Sequence, residues 1–160
     1  MSETPIEPPS PARLYASATG ALLVVLGILG FFYSASFGSP GEVDDMLGVF
    51  AVNGWLNVIH IALGAVGLLV AGFASRSYSL WLGLLLIVLS AWGFIVGSGD
   101  AILGFIPADV GDNLLHLVLG MLGLAAAAAT PRRAARATGV STTSRSAPAP
   151  KERTAKSPDS

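Results

Sequence analysis

Four apolar stretches, at residues 14–36, 54–74, 79–97 and 110–130, decide most of what this chain can fold into. A stretch of about 19–23 residues, wound as a helix rising about 1.5 Å per residue, spans the roughly 30 Å hydrocarbon core of a bilayer. None of the four carries Lys, Arg, Asp or Glu in its central part. A helix at a soluble surface keeps a polar face, whereas runs that are apolar all round belong in lipid or in a deep core. Charge is scarce throughout, at 12% of 160 residues. Soluble domains carry about 25%. The expected class is therefore an all-α membrane protein with four transmembrane helices.

The flanks orient those helices. Arg13 precedes the first stretch, Arg76 separates the second from the third, and Arg132, Arg133 and Arg136 follow the fourth. Glu42, Asp44 and Asp45, then Asp100, Asp109 and Asp112, border the opposite ends. Basic loops stay in the cytoplasm, so both termini are expected there, in a multi-pass protein of the cytoplasmic (plasma) membrane. Tyr15, Tyr78 and Trp81 are expected at the inner interface and Trp55 at the outer one. Arg13, the first apolar run and Ser34-Ala35-Ser36 also suit a cleaved leader. That run is longer than the usual 7–15 residues, and a retained helix is expected.

Residues 1–12, rich in Pro, Ser and Glu, and 131–160, rich in Ser, Thr, Pro, Ala and basic residues, read as disordered cytoplasmic tails around a membrane domain at 13–130. The basic C-terminal tail suggests anionic-lipid contact by Arg132, Arg133 and Arg136. It lacks the folded module and interleaved aromatics that nucleic-acid binding needs. The chain has no cysteine, which excludes disulfides, thiolate metal sites and a cysteine nucleophile.

An internal repeat organises the membrane domain. Leu47-Gly48 aligns with Leu103-Gly104, and the ungapped register then matches Asn57 with Asn113 and His60 with His116. The shared string is N-x-x-H-x-x-L-G-x-x-G-L. Arg13, Tyr15, Gly20, Gly30 and Phe31 correspond to Arg76, Tyr78, Gly83, Gly93 and Phe94. The expected architecture is a bundle of two tandem helical hairpins in parallel orientation, which counts against an alternating-access carrier built on inverted repeats.

Small residues fall on one stripe of each helix: Gly20, Gly27 and Gly30; Gly64 and Gly67; Gly83 and Gly93; Gly120 and Gly123. Lipid gives helices no hydrophobic reason to associate, so such stripes mark close backbone approach. The four are expected to face the bundle centre. Asn53 and Asp109 precede their helices and suit N-caps. Asn57, His60, Asn113 and His116 share the inward stripes, with Asp112 beside them, as a candidate intramembrane polar cluster. Ionisable groups at that depth are costly and suggest function, yet a neutral imidazole also serves as an interhelical hydrogen-bonding group. A metal would need a third ligand, and Asp112 is the candidate. No Ser/His/Asp set, phosphate loop or H-E-x-x-H occurs, so neither an enzyme nor a cofactor is expected.

These residues resemble a known group. L-G-V-F-A-V-N-x-x-x-N-x-x-H-x-x-L-G at 47–64 and L-G-F-I-P-x-D-x-x-D-N-x-x-H-x-x-x-G at 103–120 resemble the domain-of-unknown-function 4383 family, small four-helix membrane proteins of bacteria, mainly actinobacteria. In that family the first copy often reads H-N-x-x-H; here Leu56 holds the first His position, so a ligand set using that His would be incomplete. The resemblance implies a cytoplasmic-membrane location and no particular activity. The leading expectation is a non-enzymatic structural or interaction module that packs with itself or a membrane partner. The alternative is a small-ligand, metal or proton-handling protein using His60 and His116.

Overall fold

The computed structural model describes residues 8–38 and 44–132. Most of both sequence-predicted tails, with Arg133 and Arg136, lies outside the described residues. Four helices dominate: α1 (Pro11–Tyr33), α2 (Gly54–Val70), α3 (Ser75–Val96) and α4 (Val110–Ala129). Three of them, α1, α3 and α4, are long and apolar enough to cross a membrane, and α2 is an apolar helix of 17 residues. Their outward faces are apolar too, with Phe32, Leu69 and Ile95 exposed by 82, 75 and 83%. Apolar side chains exposed along whole helix faces mark a surface that meets lipid or another protein.

Local chemistry sets the helix starts. The Ser10 hydroxyl accepts from the Arg13 amide and Pro11 opens α1, a position where its missing N–H is no loss. The helix thus begins inside the stretch read as tail, and Ala12 is wholly buried. The Asn53 side chain caps α2 and that of Asp109 caps α4. α3 starts four residues earlier than the apolar pattern predicts, directly after a turn in which Val70 O accepts from Phe73 and Ala74.

The structure departs from an all-helical reading between α1 and α2 and between α3 and α4. Each connection holds a short antiparallel hairpin: β1 (Asp44–Met46) with β2 (Phe50–Val52), and β3 (Ala101–Ile102) with β4 (Ile106–Pro107). Both turn on the same dipeptide. Leu47 and Gly48 have φ of 57° and 67°, and Leu103 and Gly104 of 54° and 80°. Positive φ at both central residues is what a type I′ turn requires. Glycine takes it freely, but leucine takes it at a cost of about 1–2 kcal/mol.

The glycine stripes are distributed differently from the sequence reading, in which all four met at a common centre. A methyl group at Gly20 would lie 2.8 Å from Gly64 O, and one at Gly83 would lie 2.8 Å from Gly120 O. These glycines seal α1 against α2 and α3 against α4, each within its own half. Gly67 and Gly123 face the other half. A methyl there would meet the hydroxyl of Tyr78 or of Tyr15. The centre is apolar instead: Tyr15, Leu23, Leu82, Leu86 and Leu119 form a buried cluster, joined by Leu63 and Tyr78.

Tyr15 and Tyr78 correct a second expectation, because neither serves as an interfacial anchor. The Tyr15 hydroxyl donates to Leu119 O at 2.9 Å and the Tyr78 hydroxyl to Leu63 O at 2.9 Å. The first helix of each half thereby grips the second helix of the other. This explains the L-G-x-x-G part of the shared string. The leucine carbonyl accepts the tyrosine hydrogen bond, the first glycine packs its own hairpin, and the second makes room for the ring. Trp81, by contrast, is 67% exposed.

Candidate functional site

The polar residues gather at the hairpin end of the helices and descend into them. Asn53 and Asp109 form the top layer. Asn53 accepts from the Leu56 amide at 2.8 Å and donates from Nδ2 to Phe105 O of the opposite hairpin turn at 2.8 Å. Asp109 accepts from the amides of Gly111 and Asp112 through Oδ1, and from Ala51 of the opposite hairpin through Oδ2 at 2.6 Å. Each residue caps its own helix and ties it to the other half. Their chemical difference follows from what each faces, a carbonyl for the amide and an N–H for the carboxylate.

The Asp109 carboxyl is set by opposing influences. Burial raises it, but hydrogen bonds from the Asp112 side chain and from the amides of Ala51, Asp112 and Gly111 outweigh burial. They hold the group below the ordinary carboxylate range. Its stabilising effect is therefore complete at neutral pH and is lost only as the pH falls through that lowered value.

One layer down, Asn57 and Asn113 fit notches cut by glycine. Nδ2 of Asn57 donates to Ser34 O, at the end of α1, at 2.9 Å. A methyl group at Gly30 would fall directly on Oδ1 of Asn57, and one at Gly93 on Oδ1 of Asn113. The Asn113 backbone carbonyl accepts from the Ser90 hydroxyl at 2.7 Å, where the first half has Gly27 against Asn57 O.

Below the asparagines the two histidines meet. Their ring centroids are 6.1 Å apart and the planes cross at 73°. His60 and His116 are 6% and 5% exposed, and Asp112 is 3% exposed, with its carboxyl against that of Asp109. The candidate cluster of Asn57, His60, Asp112, Asn113 and His116 is thus brought to one end of the molecule. Among the described residues, three of its buried atoms have no hydrogen-bond partner: Asn57 Oδ1, His60 Nε2 and Asp112 Oδ2. Among the described residues, no three His, Asp or Glu side chains converge to hold a metal ion.

Above this layer a cavity of about 230 Å³ lies between the hairpins, lined by Asp45, Asp100 and Asp109 among others. Below it the Tyr15–Leu23–Leu82–Leu86–Leu119 cluster closes the interior. Among the described residues that cavity touches Asn53 and Asp109 of the top layer, while the asparagines and histidines beneath them are buried. Sequence reasoning missed Tyr15 and Tyr78 and the reach of Asn53 and Asp109 across the halves. The usable signal was that all four occupy equivalent repeat positions.

The family model described as Domain of unknown function (DUF4383) matches residues 13–129, and the chain belongs to that family. No curated protein and no solved structure matches it.

Proposed function

We propose that the chain is a non-enzymatic structural or interaction module of the bacterial cytoplasmic membrane. It crosses the bilayer four times as two duplicated hairpins, with both termini in the cytoplasm. The observation that carries this reading is the reciprocity of its polar bonds. Tyr15 to Leu119, Tyr78 to Leu63, Asn53 to Phe105 and Asp109 to Ala51 all join one half to the other. Polar groups spent in this way make one rigid body out of two hairpins. Four spans are supported by α2, whose 17 residues reach the lower end of the spanning range of about 17–25 and which packs along α1 at Gly20 and Gly27. The orientation is supported by the gathering of Arg13, Arg76 and Arg132 at one end and of Asp45, Asp100 and Asp109 at the other. The bilayer covers the exposed apolar faces, and a second copy or another membrane protein engages one of them. Nucleic acid has no part in this reading.

A second reading, a small ligand, metal or proton held at the His60/His116 pair, is favoured by the three unpartnered buried atoms. One experiment separates the two. His60→Ala and His116→Ala are expected to lower thermal stability in detergent by about 2 kcal/mol each, the scale of a buried cavity, with no bound species lost. A Soret band or stoichiometric metal in the purified parent protein, absent from both variants, would sink the structural reading. So would proton flux in liposomes that depends on either histidine.

A further inference from the structure

At the basic end a second cavity, of about 710 Å³, lies between the start of α1, the α2–α3 turn and the end of α4. Arg13, Arg76 and Arg132 come to it from those three places, and no acidic residue is among its described lining. Arg76 donates from Nε to Thr130 O at 3.1 Å, while the guanidinium groups of Arg13 and Arg132 have no partner among the described residues. Basic loops on the cytoplasmic side account for arginines at this end. They do not account for three of them lining one cavity with no carboxylate among its described lining. Arg76 is half-buried and Arg13 and Arg132 are exposed; like charges gathered around one cavity repel, and an anion between them relieves that repulsion.

The same cavity is lined by Ser75, Arg76 and Ser77, the first turn of α3. That helix has Ala74 at its N-cap, no side-chain cap and no acid in its first turn. Among the described residues nothing caps its leading amides, which can donate to an anion. Guanidinium forks and helix-terminal amides together match the oxygens of a phosphate group, and the volume falls in the usual range for small-molecule sites.

We propose that this cavity binds a phosphate group, carried by the headgroup of an anionic phospholipid or free in the cytoplasm. The full-length protein in detergent would be titrated with phosphatidylglycerol, with phosphatidylcholine, and with inorganic phosphate at constant ionic strength, reading thermal stability. Saturable stabilisation by phosphatidylglycerol alone assigns the site to a lipid headgroup. Saturable stabilisation by inorganic phosphate assigns it to a free phosphate. In either case Arg13→Gln with Arg132→Gln should raise the half-saturating concentration about thirty-fold, the loss of two basic contacts at about 1 kcal/mol each. Neither arginine gives up a side-chain bond to the described residues on substitution, and Arg13→Lys with Arg132→Lys should weaken binding less because charge is kept. Arg133→Gln with Arg136→Gln should change it little. The proposal is overturned if neither phosphate source stabilises, if phosphatidylcholine does as well as phosphatidylglycerol with no response to phosphate, or if the Arg133/Arg136 variant loses as much.

Discussion

Alanine at Gly30 or Gly93 is expected to unfold the protein or leave it at least about 3 kcal/mol less stable in detergent. Overpacking a close contact costs about 1–3 kcal/mol where neighbours can move. Here the neighbour is the side chain of Asn57 or Asn113, each at most 3% exposed. Moving Asn57 also breaks its bond to Ser34 O at the end of α1. A buried carbonyl left without that partner adds about 1–3 kcal/mol. Gly72→Ala is the internal control, since a methyl group there meets nothing within 4 Å. Thermal unfolding of the three variants side by side checks the prediction. Equal stability of all three would show that the asparagine notches do not exist as described.

The second large effect concerns two residues that differ by one atom type. Asn53→Asp places a carboxylate against Phe105 O, which can only accept. Asp109→Asn removes one of two acceptor oxygens that now serve Ala51 and the first turn of α4. Whichever way the new amide turns, one of those N–H sets loses its partner. Each substitution should cost about 1–3 kcal/mol, although neither changes the side-chain shape. The arrangement cannot be made symmetric, because Pro107 stands where the first half has Ala51 and has no N–H to offer. Denaturation of both variants and of the double exchange tests this. A double variant as stable as the parent would mean that the two sites do not read donor from acceptor.

The helices were legible because long, charge-free apolar runs leave the chain few alternatives. The caps at Asn53 and Asp109 were legible because a short polar side chain before an apolar run is a local signal. The hairpins were not. Strands of two or three residues are too short to show alternation, and a leucine at positive φ contradicts the usual turn composition. Only the recurrence of Leu47-Gly48 as Leu103-Gly104 hinted that both loops fold alike. The glycine stripes revealed which face of each helix is crowded, but a stripe does not name its neighbour. That is why Gly64 and Gly67, three residues apart, were read as one seam when they face different helices. Tyr15 and Tyr78 were misread for a related reason. A tyrosine near a helix end has the interfacial belt as its default, and a bond to a backbone carbonyl of the other half, 104 residues away for Tyr15 and 15 for Tyr78, leaves no local trace. The histidines are legible by depth and stripe, while the lack of a partner for His60 Nε2 among the described residues is visible only in three dimensions.

The central claim is that four helices cross one membrane with the hairpins on one side and the arginines on the other. The chain has no native cysteine, so single cysteines report cleanly. Asp45→Cys, Asp100→Cys and Ser77→Cys would be exposed to a membrane-impermeant maleimide on intact cells. The account predicts labelling of the first two in intact cells and of the third only after permeabilisation. Labelling of the Ser77 site from outside, or of Asp45 and Asp100 from opposite sides, would contradict it.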